Sequence, residues 1–266
     1  MGAVDERAHA LGFLRDVETR CSTTVQPWRW GEVLFNEHLP KVYDLNFLRL
    51  MGTPDVSASE LIAEAHRIQG PARLVHRMIV VEDQDLGAAL SSGFQAEGWT
   101  ITKLVVMVRH RPLDRTSPDG LAVEIDLEAM RQAREHGFRS GGEVTDEEAI
   151  AQLTDHADLM ALAANARFFG VMVDGHCVSS AQLYSDGETA QIESVQTLPE
   201  HRNKGYARAV VAKALDEALR ARHDFVFMLA DDTDWPKALY GRMGFDAVGY
   251  VYDFRCTLPE GAASGW

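Results

Sequence analysis

A short basic segment lies where a strand-like run of residues ends and a helical run begins. Residues 190–198 alternate between apolar and polar types, and an alanine-rich stretch starts near Tyr206. The segment between them contains Arg202, Asn203, Lys204 and Gly205. A helix start exposes backbone N–H groups and partial positive charge, and a glycine lets a ligand approach the backbone closely. The segment therefore predicts an anion site of a size suited to a pyrophosphate.

Other motifs that carry chemistry are missing from the sequence. Neither G-x-x-x-x-G-K-[ST] nor G-x-G-x-x-G occurs, so nucleoside triphosphates and dinucleotides are not indicated. Three widely separated cysteines, Cys21, Cys177 and Cys256, match no metal or redox spacing. The histidines are also scattered. We expect no metal site, and we expect the thiols to be reduced and mostly buried.

The charge of the chain argues against several classes of partner. The net charge is −14, and residues 118–266 hold 25 acidic against 13 basic side chains. A nucleic-acid-binding protein normally shows the opposite field, so we expect no nucleic-acid partner. No apolar run is long enough to cross a bilayer, and the N-terminus lacks the features of a signal peptide. The expectation is a cytoplasmic protein without a membrane partner.

The elements around the basic segment place it at one edge of a sheet. Three strand-like runs are separated by Asp174-Gly175 and Asp186-Gly187, dipeptides that favour tight hairpins. A helix from about Tyr206 to Arg222 then leads to another short apolar strand. A strand, a long helix and a strand predict a parallel pair with a right-handed crossover. Ligands of open α/β sheets bind at the carboxyl edge of such strands.

The chain divides at a polar, proline-containing segment, residues 108–120, which reads as a linker. We predict two domains, residues 1–117 and residues 118–266. Both contain a strand, a helix, Gly-Phe and another strand. Four identities at an offset of 151 favour an internal duplication: Gly93 and Gly244, Phe94 and Phe245, Ala96 and Ala247, Gly98 and Gly249.

Two motifs in the second half resemble those of a known family. The stretch IESVQTLPEHRNKGYARAVVAKAL, residues 192–215, looks like the acyl-CoA-binding segment of the GNAT superfamily of N-acyltransferases, with its R/Q-x-x-G-x-G/A motif. The stretch KALYGRMGF, residues 237–245, resembles the later L-Y-x-x-x-G-F of that family. The resemblance covers residues 118–266, whereas residues 1–117 look like a degenerate GNAT-type half. It implies an α/β (α+β) fold of two GNAT-like halves, with a mixed, centrally parallel sheet flanked by helices.

The resemblance also implies a set of residues that bind acetyl-CoA as cosubstrate. The strand backbone at Val195, Gln196 and Thr197 corresponds to the part that binds the acyl oxygen and the pantetheine. Arg202 and the loop amides from Asn203 through Lys204, Gly205 and Tyr206 to Ala207 correspond to the pyrophosphate site. The family often has an asparagine after the next strand, where this chain has Thr233 or Asp234.

Transfer of an acyl group to an amine needs a base and an acid. Glu193, on the strand before the loop, is the candidate base, and its spacing of four residues predicts the same strand face as Thr197. A solvated glutamate with no role is the alternative, and Asp231 and Asp232 are reserve bases. Tyr240 is the candidate acid, because a phenol and an alkyl thiol have similar pKa values. Its alternative role is to pack its ring on the sheet.

The sequence thus predicts an N-acetyltransferase that moves an acetyl group from acetyl-CoA to a primary amine of a small molecule or peptide. The alternative is a non-catalytic acyl-CoA sensor, which needs no proton donor beside the sulfur. We expect the first half to shape the acceptor site or a contact between two chains in a homodimer.

Overall fold

The computed structural model describes residues 5–118, 120–142 and 144–258. The helices are α1 (Glu6–Cys21), α2 (Ala58–Gln69), α3 (Gln84–Ala96), α4 (Leu127–Gly141), α5 (Glu147–Ala163), α6 (Tyr206–Arg220) and α7 (Pro236–Arg242). The strands are β1 (Thr24–Trp28), β2 (Gly31–Phe35), β3 (Phe47–Leu50), β4 (His76–Val81), β5 (Thr100–Arg109), β6 (Val123–Ile125), β7 (Arg167–Val173), β8 (His176–Ser185), β9 (Thr189–Thr197), β10 (Phe225–Asp231) and β11 (Phe245–Thr257). None of the helices in these ranges is both long and apolar enough to cross a membrane.

The described residues form two compact units whose sequences interleave. The N-terminal unit takes its residues from Leu14–Val106, Ala230–Asp234 and Val248 onward. The C-terminal unit takes its residues from the chain start to Phe13, from Met107–Leu229 and from Trp235–Ala247. That residues 1–117 and 118–266 are two separate domains stays a prediction.

The N-terminal unit is built on the strand order β1-β2-β3-β4-β11. Strands β1, β2 and β3 are antiparallel neighbours, and β3 pairs in parallel with β4 after the crossover through α2. The last strand, β11, pairs antiparallel with β4, so that Tyr252 lies opposite Val81. Its core includes Phe94 and Phe254, whose rings stack with centroids 4.1 Å apart.

The C-terminal unit has the strand order β10-β9-β8-β7-β6. Strands β6 to β9 are antiparallel, and β9 pairs in parallel with β10 after the crossover through α6. One sheet face packs on α6 through residues such as Val171, Ala181 and Val210. The other face packs on α4 and α5 through Phe168 and its neighbours. The predicted parallel pair is therefore present, within a mixed and mostly antiparallel sheet.

The order of elements repeats along the chain, but not at the offset of 151. In both halves three strands are followed by a helix, a parallel strand, a second helix and a final strand. Gly93 lies inside α3, whereas Gly244 lies between α7 and β11. Gly98, with φ +76°, is the residue that ends α3 as Gly244, with φ +94°, ends α7. The matched identities were therefore misaligned, because α3 has 13 residues and α7 has 7.

Candidate active site

The predicted anion site is an open turn at the start of α6. Gly205 is the N-cap of this helix, with the left-handed φ of +81°, and no side chain caps the helix. A Cβ added at Gly205 would meet no atom within 4 Å, so the space beside its backbone is empty of protein. Asn203 also has a positive φ, of +61°. The turn thus presents backbone to the surface, and its role as an anion site stays a prediction.

The positive groups around this turn are exposed. Arg202 and Lys204 lie on the surface, and neither forms an ion pair with an acidic side chain in the ranges that the structure covers. The Arg202 Nε donates to the Thr197 carbonyl at 3.3 Å. The Tyr206 side chain packs on the hydrophobic cluster beneath α6, so Tyr206 and Ala207 offer their backbone amides. Two cations and the helix dipole favour an anion here.

Strand β9 is interrupted by a bulge just before the turn. Gln182 of β8 lies opposite Glu193, and Ser180 lies opposite Gln196, so that Ser194 and Val195 together face one residue of β8. Ser194 has φ +53°, which is unusual for a residue other than glycine.

The bulge corrects one expectation about Glu193. Glu193 pairs with Gln182 of β8, and Thr197 pairs with Ser179 of the same strand. Ser179 and Gln182 are an odd number of residues apart, so their side chains point to opposite faces of the sheet. Glu193 and Thr197 therefore also lie on opposite faces. The same-face prediction was wrong, because the extra residue in β9 reverses the alternation. Glu193 instead shares the face of Gln182 and Phe168, which α4 and α5 cover. Val195 lies on the α6 side.

Strands β9 and β10 separate beside this bulge. Their parallel register runs from Thr189 opposite Phe225 to Gln191 opposite Phe227, and no later pair joins them within the described residues. Beyond this point, β9 continues through Val195, Gln196 and Thr197. Gln196 and Thr197 pair with β8, on one side only, while Val195 belongs to the bulge. We refer to this unpaired stretch on the β10 side of β9, which continues along the chain towards the turn at Gly205, as the cleft.

Glu193 stands at the root of this cleft and is half-buried. Its Oε2 accepts from the Gln191 Nε2 at 2.8 Å, and its Oε1 accepts from the Ser194 backbone N–H at 2.9 Å. Burial lowers the pKa of the neighbouring Arg134, while the charges of Tyr184 and Glu193 act in the opposite direction. Arg134 is itself buried and donates twice to the Leu153 carbonyl, at 3.0 and 2.7 Å.

Tyr240 lies in α7 and is 6% exposed. This helix follows β10, so it starts at the carboxyl edge of the same parallel pair that leads into α6. Pro236 is its first residue, and its N-cap is Trp235. The burial fits both predicted roles of Tyr240, a proton donor inside the protein and a ring packed on the sheet.

The segment after β10 belongs to the N-terminal unit and is held by its own hydrogen bonds. Asp231 Oδ1 accepts from the Thr233 backbone N–H and hydroxyl at 2.8 and 2.7 Å. Asp232 forms an ion pair with Lys103 at 3.0 Å. Both reserve bases therefore have partners within this unit. A role of Thr233 in binding acetyl-CoA stays a prediction.

Sequence reasoning missed several polar residues behind Glu193. Gln182, Tyr184 and Gln191 are buried and polar, and each sits on β8 or β9 facing α4 and α5. The signal that could have identified them is the alternation of Gln191 and Glu193 within a strand whose intervening residue, Ile192, is apolar.

A cavity of about 300 Å³ lies elsewhere in the C-terminal unit, between α4 and the β7–β8 hairpin. It is lined by Ala129, Gln132, Ala133, His136, Met172, Gly175, His176 and Cys177. Burial raises the pKa of the Cys177 thiol to about 11, so this sulfur is neutral near pH 7. No predicted site residue lines the cavity.

Comparison with known proteins agrees with this geometry. Residues 127–245 match the model of the Acetyltransferase (GNAT) family. This range includes β9, the turn at Gly205, α6, β10 and α7. No curated protein matches the sequence of the chain.

Three solved structures have a similar fold. A GCN5-related N-acetyltransferase from Kribbella flavida has 17% identity and a TM-score of 0.62, with 98% of this chain and 99% of that chain covered. A functionally unknown conserved protein from Staphylococcus epidermidis has 13% identity and a TM-score of 0.70, with 90% and 95% covered. A GCN5-related N-acetyltransferase from Sphaerobacter thermophilus has 16% identity and a TM-score of 0.54, with 76% and 68% covered.

At these identities the structural matches show the fold alone. Two of them extend over nearly the whole chain, so both halves, and not only the matched range, share the architecture of those proteins. Residues 127–245 belong to the GNAT family of acetyltransferases by their match to the family model, and the fold of the chain is that of solved GNAT structures.

Proposed function

We propose that the protein is an N-acetyltransferase that uses acetyl-CoA to acetylate a primary amine. The observation that carries this proposal is the uncapped turn at Gly205, placed at the end of a cleft whose root holds the Glu193 carboxylate. A phosphate-binding turn alone would serve many ligands. A turn joined to a cleft with a carboxylate serves a phosphate-bearing donor and an amine.

The donor is bound by backbone and by two cations in this proposal. The amides of residues 203–207, with Arg202 and Lys204, hold the pyrophosphate at the start of α6. The edge of β9 at residues 195–197, which β10 leaves unpaired, binds the pantetheine amides and the acyl oxygen. The empty space beside Gly205 fits this placement, because the phosphates need to reach the backbone closely.

The chemistry then needs one proton acceptor and one proton donor. Glu193 accepts a proton from the ammonium, directly or through a water, and the neutral nitrogen attacks the thioester carbon. The C–N bond forms, and the C–S bond breaks with its electron pair leaving on sulfur. Tyr240 protonates this thiolate, and the resulting phenolate is reprotonated by the second proton that the nitrogen loses. Glu193 releases its proton to the solvent. The products are the acetylated amine and free CoA.

Calorimetry with a matched pair of glycine variants tests the donor site. Gly205→Val places a side chain where the phosphates approach, and we expect it to abolish acetyl-CoA binding. Gly175→Val is the control, because Gly175 has nearly the same φ, +82°, and equally open surroundings, but lies in the β7–β8 hairpin. Equal affinity of Gly205→Val and wild type would contradict the proposed site.

A turnover measurement distinguishes the proposed acetyltransferase from the alternative, a non-catalytic acyl-CoA sensor. Wild-type protein with acetyl-CoA is offered a panel of small amines and peptides, and released CoA thiol is measured. Thiol release that depends on an amine supports the acetyltransferase. Tight binding of acetyl-CoA without thiol release on any amine would favour the sensor.

A further inference from the structure

Gln191 is a buried polar residue at the exact point where the cleft begins. It is 3% exposed and lies in the last register pair between β9 and β10, opposite Phe227. On its other side it lies opposite Tyr184 of β8. Its backbone is therefore fixed between neighbouring strands, immediately before β9 loses its partner.

The Gln191 amide holds the carboxylate of the candidate base. Its Nε2 donates to the Glu193 Oε2 at 2.8 Å, while the Ser194 N–H donates to Oε1 at 2.9 Å. Both carboxylate oxygens thus accept bonds from groups that belong to the same strand, β9.

Gln182 extends this support on the neighbouring strand. It is fully buried, lies directly opposite Glu193, and its Oε1 accepts from the Tyr184 hydroxyl at 3.0 Å. Its Nε2 has no hydrogen-bond partner among the described residues. A buried donor without a partner is costly, and such groups in folded proteins call for an explanation. A cluster of buried amides beside a carboxylate is more than the packing of a sheet requires.

We infer that Gln191 is a positioning residue for acetyl transfer: its amide fixes the Glu193 carboxylate at the root of the cleft. This inference rests on the proposed function, in which Glu193 is the base. The bond restrains a side chain with three rotatable bonds, and it favours the charged form of the carboxylate that a base requires.

The substitution Gln191→Leu tests the inference, because it keeps the bulk and removes the N–H donor. We expect kcat to fall roughly ten- to hundredfold, the scale of a misplaced catalytic group. The affinity for acetyl-CoA should stay unchanged. The control is Gln152→Leu, since Gln152 is also a buried glutamine that donates to a glutamate, Glu148 at 3.3 Å, but in α5. Gln191→Met replaces the leucine variant if that variant does not fold.

A double-mutant cycle distinguishes positioning from packing. If Gln191 acts through Glu193, Gln191→Leu should cost nothing further in a Glu193→Gln background. An additive loss in the double variant, or full turnover of the single Gln191→Leu variant, would overturn the inference. Full turnover of Glu193→Gln would instead overturn the role of Glu193 as the base. The experiment therefore distinguishes a failure of the Gln191 inference from a failure of the proposed function.

A second measurement needs no turnover. The side-chain carboxyl signal of Glu193 is identified by ¹³C NMR as the one lost in Glu193→Gln, and it is titrated in the free protein. In Gln191→Leu its titration midpoint should move to higher pH, because the lost donor favours the charged form. The midpoint should not move in Gln152→Leu. An unchanged midpoint in Gln191→Leu would show that the bond does not hold the carboxylate.

Discussion

Gly205 and Ser57 occupy corresponding positions in the two units, each as the N-cap of the helix that joins a pair of parallel strands. Gly205 leaves the first amides of its helix open. Ser57 closes them, because its hydroxyl accepts from the Glu60 N–H while the Glu60 carboxylate accepts from the Ser57 N–H. These bonds with Ser57 also lower the pKa of Glu60, so a negative charge stays at this helix start. One helix start is suited to a phosphate, and the other repels it.

From this difference we predict that one chain binds one acetyl-CoA. Isothermal titration calorimetry of the full chain should give a stoichiometry near one. The site should disappear entirely in Gly205→Val, because the start of α2 cannot replace it. A stoichiometry of two, or residual binding in that variant, would mean that the N-terminal unit also holds the donor.

Tyr240→Phe separates proton donation from packing. The change removes a hydroxyl and keeps the buried ring, so affinity for acetyl-CoA should change little. Turnover should fall roughly 10²- to 10⁴-fold if the hydroxyl protonates the thiolate. Because the interaction would form mainly in the transition state, the loss should appear in kcat. Steady-state kinetics on one accepted amine measure it.

The control for this variant is Tyr252→Phe, since Tyr252 is similarly buried, at 8% exposed against 6% for Tyr240, but belongs to β11 in the N-terminal unit. Its turnover should match that of the wild type. Undiminished turnover in Tyr240→Phe would remove Tyr240 as the acid and leave it a packing role.

Gly244 should be intolerant of any side chain. It has φ +94°, and an added Cβ would lie 2.0 Å from the Arg111 carbonyl oxygen. Its own carbonyl accepts from the backbone N–H groups of His110 and Arg111. Gly244→Ala should therefore lower the free energy of unfolding by about 3 kcal/mol or more, since a backbone clash adds to left-handed strain.

Denaturant unfolding measures this loss against Gly187→Ala. Gly187 has a similar φ, +101°, but an added Cβ there meets nothing, so only the strain of about 1 to 2 kcal/mol should appear. Equal losses in the two variants would show that the contact with Arg111 is unimportant.

Local chemistry explains which parts of this architecture the sequence could predict. The turns at Asp174-Gly175 and Asp186-Gly187 depend on residues that tolerate positive φ, and both hairpins are present. The start of α6 depends on a proline and a glycine, and it too was predicted correctly. These features are decided by residues adjacent in the chain.

The missed features depend on partners far away in the chain. The bulge in β9 centres on Ser194, a residue with no preference for φ +53°. The pairing of β11 with β4 joins residues about 175 positions apart, and no periodic pattern encodes such a choice. The Gln191–Glu193 bond could be suspected from strand alternation, but its partners on β8 follow only from the register.

Asp253 should make the stability of the protein depend on pH. Burial raises its pKa to about 8 from the usual 3.8, with repulsion from Asp44 and Glu18 adding to the effect and Arg255 opposing it. The folded state then holds a proton that the unfolded state has lost. The contribution of Asp253 to the free energy of unfolding therefore falls as the pH rises from about 4 to 8.

Asp253→Asn removes this titration. Relative to the wild type, the variant should gain about 2 kcal/mol or more between pH 5 and pH 9, the scale of one or two pKa units. Chemical unfolding at both pH values measures the gain, with Asp55→Asn in an exposed loop as the control. A constant difference between Asp253→Asn and wild type at the two pH values would contradict the raised pKa.

Truncation at residue 117 should not yield a stable second half. A chain of residues 118–266 would contain β11 but not β4, its antiparallel partner in the N-terminal unit. Phe254, which is fully buried against Phe94, would be exposed. We expect such a fragment to aggregate or to unfold at lower denaturant than the full chain. Cooperative unfolding of the fragment at the same midpoint would contradict this.

The placement of β11 also constrains when the protein can mature during its synthesis. Residues 248–257 complete the sheet of the N-terminal unit, yet they leave the ribosome about 175 residues after their partner strand β4. Many multidomain chains fold from the N-terminus as they emerge. Here strands β1 to β4 emerge early, and the edge of β4 stays uncovered until β11 has been translated. Nascent chains of this protein should therefore depend on chaperones that shield strand edges until β11 emerges.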